Sequence, residues 1–134
     1  MTSESSGPFH TTWARLVPEL LVTDIDKSLR FWRDLCGFAV LFDRPYEGFA
    51  YLDLDGAQIM LDERSRTRNW ETGPMEIPFG RGVNFQVSVP AIEPIIAALA
   101  SVGWPLFMEP EQKWYRTGKV ETGVHQFLVQ DPDG

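Results

Sequence analysis

The chain has 134 residues, of which 43% are hydrophobic and 23% charged, and this is typical of one globular domain with a substantial core. Its 19 acidic and 12 basic side chains give a net charge of -7, which disfavours nucleic acids and anionic membranes as partners. The apolar runs are far shorter than the roughly 20 residues that cross a bilayer, and the N-terminal residues lack the features of a signal peptide, so we expect a cytoplasmic protein.

The first predicted elements follow a flexible tail, which we assign to residues 1–14. Residues 16–22 form an apolar run that predicts a strand, and Asp24 or Asp26 can then cap a helix. Gly37 is a typical end for that helix. The apolar side chains at helical spacing are Ile25, Leu29, Trp32 and Cys36.

Strand patterns and turn residues alternate in the next part of the chain. Residues 38–42 predict a second strand. Residues 49–54 and 57–61 predict two more, joined by Asp55-Gly56, a pair that favours a two-residue hairpin turn. The order is β-α-β-β-β, and we assign residues 15–63 to this first module.

A second copy of this pattern follows a linker rich in glycine and proline. We assign residues 64–81 to the linker and residues 82–134 to the second module. Residues 83–89 predict its first strand, Pro94 fits only the first turn of the helix that follows, and Gly103 ends that helix. The predicted apolar face of the helix consists of Ile92, Ile95, Ile96, Leu99 and Val102.

The second module closes with three further segments. Residues 105–108 and 124–130 read as extended, and residues 131–134 have the composition of a turn. Because the first module continues with a strand after its equivalent turn, we expect a last strand after Gly134 that is missing from this chain. A duplicated module predicts a binding site between the two copies.

Several motifs together resemble the vicinal oxygen chelate superfamily, and within it the glyoxalase and bleomycin resistance group. The motifs are residues 20–28, Phe31-Trp32, Gly37-Phe38, the Asp55-Gly56 hairpin and residues 126–134. The resemblance implies an α+β fold in which two tandem βαβββ modules form a cup-shaped mixed sheet. It also implies a homodimer, because many members of the group dimerise.

The same resemblance implies where a metal ion would be bound. Enzymes of the group place ligands, mainly His and Glu, on the first and last strands of each module. These positions fall on Val17, Met60 and Gly82, and none of these side chains binds a metal ion. A shift of two residues keeps the same strand face and offers a polar set that would bind a hard cation only weakly. That set is Glu19, Asn84 and either Gln58 or Asp62.

Catalytic motifs are missing from the sequence. There is no Gly-x-Ser-x-Gly elbow and no glycine loop that would hold a phosphate. We expect Cys36, the only cysteine, to be a buried and unreactive thiol. We therefore predict no catalytic residue, no metal and no cofactor.

Aromatic and charged side chains suggest a ligand instead. Trp114, Tyr115 and Arg116 lie among charges where no core periodicity explains them, so a flat ligand could stack there. Arg116 could instead pair with Glu111 or Glu121. Trp70 in the linker is a similar candidate, unless it only packs its loop against the core, and most other aromatic residues are expected in the core.

We therefore predict a metal-independent binding protein that resembles bleomycin resistance proteins and sequesters a planar, cationic small molecule. The alternatives are a metal-dependent enzyme of the glyoxalase or dioxygenase type and a protein with no small ligand. Glu19 is the acid expected to contact the cation, and His125 is either a ligand contact or a surface residue. The predicted ligand-binding residues are Glu19, Gln58, Met60, Asn84, Trp114, Tyr115, Arg116 and His125.

Overall fold

A computed structural model of the chain describes residues 13–66 and 70–134. It has an α+β fold that divides into two compact units, residues 1–75 and 76–134. In the first unit the elements are β1 (Glu19–Val22), α1 (Ile25–Leu29), a π-helical segment (Arg30–Leu35), β2 (Ala39–Arg44), a 3₁₀ turn (Pro45–Glu47), β3 (Phe49–Leu54) and β4 (Ala57–Glu63). In the second they are α2 (Glu93–Ser101), β5 (Met108–Thr117) and β6 (Val120–Leu128). No helix in the described part of the chain is long and apolar enough to span a membrane.

The first unit contains the predicted β-α-β-β-β module. Its four strands form one sheet in the order β1-β4-β3-β2. β1 runs parallel to β4, and the other two pairs are antiparallel. The helical segment after β1 supplies the crossover that a parallel pair needs.

The hairpin between β3 and β4 confirms the predicted two-residue turn. Leu54 pairs with Ala57, and both Asp55 and Gly56 have positive φ, at 49° and 94°. The Gly56 N–H donates to Asp53 Oδ1 at 3.2 Å, which ties the turn to the end of β3. Two positive φ values are what a type I′ turn requires, and Asp-Gly tolerates them well.

The helix after β1 starts as predicted but buries a different face. Asp24 is its N-cap, and Oδ1 accepts from the backbone N–H groups of Asp26 and Lys27 at 3.0 and 3.2 Å. The Cys36 N–H then donates to the Phe31 carbonyl, a π-type bond that adds a residue to the turn. The predicted apolar face, Ile25, Leu29, Trp32 and Cys36, is only partly buried, whereas Ser28 and Phe31 are buried.

The prediction of a buried Cys36 was wrong, since this thiol is half-buried. Gly37 ends the segment as expected, with φ at 90°. The most deeply buried large apolar side chains of the first unit are Val22, Phe31, Leu52 and Leu61, each 2% exposed or less. They come from β1, the π-helical segment, β3 and β4.

The helix of the second unit has the predicted limits. Pro94 lies in the first turn of α2, where its missing N–H costs nothing. Gly103 follows the helix with φ at 69°, and the Trp104 N–H donates to the Leu99 carbonyl at 2.9 Å. Leu99 is fully buried, but Val102 is 57% exposed and lies outside the buried face that was predicted to include it.

The predicted strand at residues 83–89 was wrong. In the first unit β1 is held by its parallel pairing with β4. Within the described residues of the second unit, no strand pairs with residues 83–89, and the segment has no regular secondary structure. A strand needs a partner for its backbone groups, so an apolar pattern alone does not make one.

The hairpin of β5 and β6 is longer than the sequence predicted. The expected extended segments were residues 105–108 and 124–130, but the strands run from Met108 to Thr117 and from Val120 to Leu128. Gly118, with φ at 68°, makes the tight turn between them. The register shifts between Met108 and Glu111, next to Pro110, which has no N–H to donate to a ladder.

Replacing Gly48 by alanine should lower the free energy of unfolding by about 1–3 kcal/mol. Gly48 has φ at 66°, and a Cβ there would lie 2.8 Å from Glu63 Cβ. Gly56 also has a positive φ but open space around it. The smaller loss of stability expected for Gly56→Ala therefore measures the cost of the backbone conformation alone. Gly73→Ala, with neither feature, is the control for urea unfolding. An equal loss for Gly48→Ala and Gly73→Ala would contradict the packing seen at Gly48.

Candidate functional site

One face of the first sheet carries the predicted ligand residues of this unit. Paired residues in neighbouring strands share a face, and the register places Glu19 opposite Met60, Met60 opposite Tyr51, and Tyr51 opposite Phe42. The next row of the same face contains Asp62, Phe49 and Arg44. We call this surface the aromatic–acidic face. It consists of Glu19, Phe42, Arg44, Phe49, Tyr51, Gln58, Met60 and Asp62.

Aromatic rings form the centre of the aromatic–acidic face. The rings of Phe42 and Tyr51 are stacked, with centroids 5.1 Å apart and planes 17° apart. Trp13 packs edge-on against both, at 5.9 and 5.1 Å. Phe49, Tyr51 and Met60 are a buried cluster on this face. We call these rings the aromatic wall. Phe42 is 39% exposed and Glu19 is exposed to solvent, whereas Phe49 and Tyr51 behind them are buried.

Trp13 and Ala14 contact the aromatic–acidic face, although the sequence predicted that both belong to the tail. The rest of that predicted tail, residues 1–12, lies outside the described residues. Trp13 packs on the aromatic wall, and the Ala14 N–H donates to Gln58 Oε1 at 2.8 Å. A lone Trp in a polar segment just before the first strand was the available signal.

Gln58 holds Tyr51 in place, and most of its hydrogen-bonding groups already have partners within the protein. Its side chain is 5% exposed, and its Oε1 accepts from the Tyr51 hydroxyl at 2.6 Å as well as from Ala14. Its amide Nε2 donates to Asp53 Oδ1 at 2.9 Å. Gln58 therefore orients Tyr51, and we interpret it as a positioning residue.

Two carboxyl groups lie next to each other at the edge of this wall. Partial burial of its carboxyl group beside the sheet raises the pKa of Glu19 above its ordinary value of 4.5, although the residue as a whole is exposed, and the charge and hydrogen bond of Asp62 raise the pKa further. The positive charge of Arg44 offsets part of this effect. Asp62 itself is only 4% exposed. Two carboxyl groups in this arrangement favour a bound proton or another cation.

Glu19→Gln should make the protein more stable at neutral pH. Because the folded-state pKa of Glu19 is raised, its contribution to stability is present below 4.5 and is lost as the pH rises through the folded pKa. Glutamine does not titrate, so the variant and the wild type should have equal urea midpoints near pH 4 and diverge by pH 7. A variant that is less stable at neutral pH would contradict this assignment.

The metal positions implied by the family resemblance do not fit a metal ion here. Val17 packs against the cluster that contains Met60, so both positions belong to apolar packing. Neither side chain has a hard donor, and a thioether suits only soft metals. Among the residues that the structure describes, no three His, Cys, Asp or Glu side chains could hold a metal ion together. Gly82, the third position, lies in the second unit and has no side chain.

In the second unit, strand alternation separates the predicted stacking residues. Trp114 and Arg116 share one face of β5 with His125 of β6, and Tyr115 points to the other face. Trp114 is 61% exposed and covers Gly123, since a Cβ there would lie 3.0 Å from its ring. One face of the indole is thus used for packing.

The other predicted residues of the second unit have local partners or lie apart. Gln126 Nε2 donates to the Tyr115 hydroxyl at 2.6 Å. His125 Nδ1 lies 3.9 Å from Glu93 Oε1, at the start of α2. Arg116 is opposite Glu121 in the strand register. Asn84 lies in the unpaired segment at residues 83–89 and is exposed. These side chains do not form one cluster within the unit.

A cavity of about 560 Å³ in the first unit adjoins the aromatic–acidic face at Phe49. Its lining includes Asp24 and Glu63, whose carboxylates are used to cap the first helix. Glu63 Oε2 accepts from the Ile25 N–H at 3.0 Å. A second cavity, of about 510 Å³, is lined by residues 102–107 and 130–132 of the second unit.

Comparisons with known proteins agree with this fold. The profile of the Glyoxalase/Bleomycin resistance protein/Dioxygenase superfamily matches residues 9–134. A virulence protein from Salmonella typhimurium is 19% identical, with a TM-score of 0.63 over 92% of this chain and 93% of that chain. A glyoxalase/bleomycin resistance protein/dioxygenase from Alicyclobacillus acidocaldarius is 17% identical, with a TM-score of 0.52 over 88% of this chain and 83% of that chain.

A superfamily member from Vibrio splendidus 12B01 is 38% identical over 88% of this chain and 89% of that chain, with a TM-score of 0.35. No curated protein matches the chain. The two structures below 25% identity support the fold alone, whereas the superfamily profile covers all but the first residues of the sequence. The chain therefore belongs to the glyoxalase/bleomycin resistance protein/dioxygenase superfamily.

Proposed function

We propose that this chain is a metal-independent binding protein that holds a planar, cationic small molecule on the aromatic–acidic face. The observation that carries the proposal is the position of Glu19 and Asp62 beside the stacked rings of Phe42 and Tyr51. A carboxylate pair attracts a positive charge, and aromatic rings attract cations through their faces. The net charge of -7 adds a long-range attraction.

Two observations on this face support binding without catalysis. Gln58 is occupied in positioning Tyr51, and the metal positions Val17 and Met60 are apolar packing residues. A metal-dependent lyase or dioxygenase of the same superfamily is the alternative, and it would need ligands other than these two. General acid–base chemistry would also need a substrate proton within reach of Glu19.

We also propose that the protein acts as a homodimer in the cytoplasm. Both strands of the β5–β6 hairpin are edges of a two-stranded sheet, and Trp114 and Val120 on it are 61% and 64% exposed. Exposed strand edges with apolar side chains favour association. A single cysteine fits a reducing compartment.

Titration of ethidium, a planar aromatic cation, with the purified protein tests the proposed function. Ethidium fluorescence should rise to saturation at low salt and the affinity should fall as sodium chloride is added, because salt screens the carboxylates. Phenanthridine, a flat ring system without the fixed charge, is the matched control and should bind much more weakly. Absence of saturable ethidium binding, or equal binding of the neutral control, would overturn the proposal.

A further inference from the structure

The aromatic–acidic face already holds a planar cation that belongs to the protein. Arg44 at the end of β2 is opposite Phe49 in the register, and its Cζ lies 4.0 Å from the Phe49 ring centroid. It also lies 5.9 Å from the centroid of Phe42. Arg44 Nε contacts Glu47 Oε2 at 2.7 Å, which holds the guanidinium in place.

The guanidinium and the proposed ligand have the same chemistry. Both are flat and positively charged, and both can stack on an aromatic ring while facing a carboxylate. The charge of Arg44 acts on Glu19, the acid that we propose for ligand recognition. Phe49, under the guanidinium, is 7% exposed. A cation that stacks on the same side of the Phe49 ring would take the position that the Arg44 guanidinium occupies.

Arg44 is placed where it can move. β2 is an edge strand of the sheet, and the Arg44 side chain is 39% exposed. The ion pair with Glu47 is a surface pair, with the Glu47 side chain 37% exposed, and pairs of this kind contribute little to stability. The main cost of releasing the guanidinium into solvent is therefore its stack on Phe49, which a ligand can replace.

We propose that Arg44 is an internal competitor for the ligand site, whose guanidinium lies over Phe49 in the free protein and is displaced when a planar cation binds. This inference rests on the proposed function and adds a selectivity rule to it. A ligand must stack better than a guanidinium does, so extended aromatic cations should bind and small alkylammonium ions should not.

Variants of Arg44 test the competition in the ethidium titration. Arg44→Gln should bind ethidium about 5–20-fold more tightly, because it removes both the charge and the stacked group. Arg44→Lys keeps the charge but not the planar stack, and it should bind about 2–5-fold more tightly than wild type. Arg33→Gln is the control. It removes the same charge from an arginine that is paired with Asp34 in the π-helical segment, and it should leave the affinity unchanged.

Each outcome of this experiment decides the question. If wild type binds ethidium but Arg44→Gln binds no more tightly, the competition is wrong while the proposed function stands. If Arg44→Lys equals wild type and only Arg44→Gln improves, charge alone acts and displacement is wrong. If neither wild type nor Arg44→Gln binds, the proposed function itself fails.

Nuclear magnetic resonance of the Arg44 side chain provides a second measurement that does not depend on affinity. In the free protein the Nε–H proton should be shifted by the ring current of Phe49. Ethidium should move this resonance towards the position of a solvent-exposed arginine, while the Arg33 resonance stays in place. An Arg44 signal that is unchanged at saturation would contradict displacement.

Discussion

Phe31→Ala should lower the free energy of unfolding by about 3–5 kcal/mol. Phe31 is 2% exposed and lies in the π-helical segment that follows α1. Its ring also packs edge-on against Trp32, with centroids 5.3 Å apart. Alanine would lose this contact and leave a cavity in the core. Urea unfolding monitored by circular dichroism measures the loss.

Leu16→Ala is the matched control for that measurement. Leu16 is a large apolar residue of the same unit, but it is 85% exposed, so truncation should change the free energy of unfolding by less than about 0.5 kcal/mol. A small effect for Phe31→Ala, comparable to that of Leu16→Ala, would show that the π-helical segment does not bury this side chain. The packing described for the first unit would then be wrong.

Glu19→Gln should weaken ethidium binding roughly tenfold or more at low salt, since it removes a charge a few ångströms from the bound cation. The substitution preserves the shape of the side chain and the aromatic wall behind it. The same variant is expected to be more stable at neutral pH, because glutamine removes the cost of a partly buried charge and its repulsion from Asp62. A variant that binds less but folds better separates a loss of recognition from a loss of structure.

Glu71→Gln is the control for the change of charge. Glu71 Oε1 contacts Arg64 Nη2 at 2.6 Å, and Glu71 lies outside the strands that make the aromatic–acidic face. At the same salt concentration, its replacement should leave ethidium affinity within about twofold of wild type, because solvent weakens the effect of a charge outside the site. Equal losses for Glu19→Gln and Glu71→Gln would assign the effect to net charge and not to a site.

The fold of the first module could be predicted because its signals are local. Asp24 caps the helix through backbone groups two and three residues away. The Asp55-Gly56 turn needs only its own two φ values. These choices are made within a few residues, so a single sequence contains them.

The errors came from features that depend on distant partners. Residues 83–89 have the apolar pattern of a strand, but pairing decides whether a strand forms, and the described part of the second unit has no partner strand for them. The first helix buries Ser28 and Phe31 and not the predicted apolar face, because the buried face depends on what the helix packs against, which periodicity does not reveal. The long β5–β6 hairpin was not predicted, because β5 is rich in charged and polar residues and does not alternate between apolar and polar side chains.

In the candidate site, too, local features could be predicted and long-range features could not. Strand parity correctly places Glu19 and Met60 on one face, since alternation is a local rule. The neighbours that give Glu19 its environment, Asp62 and Arg44, depend on the register across several strands, and the sequence gives no direct signal for it. Trp114 and Tyr115 were grouped by their position in the sequence, although neighbouring residues of a strand face opposite sides.

Metal analysis combined with ethidium titration is the most direct test of metal-independent binding. Purified protein is dialysed against a chelator, its divalent metal content is measured by mass spectrometry, and the same sample is titrated with ethidium. We expect no retained stoichiometric metal and an affinity equal to that of undialysed protein, because Val17 and Met60 supply no metal donors of the usual kind. One tightly held metal ion per chain, or ethidium binding that is lost on dialysis and restored by a divalent ion, would contradict the account.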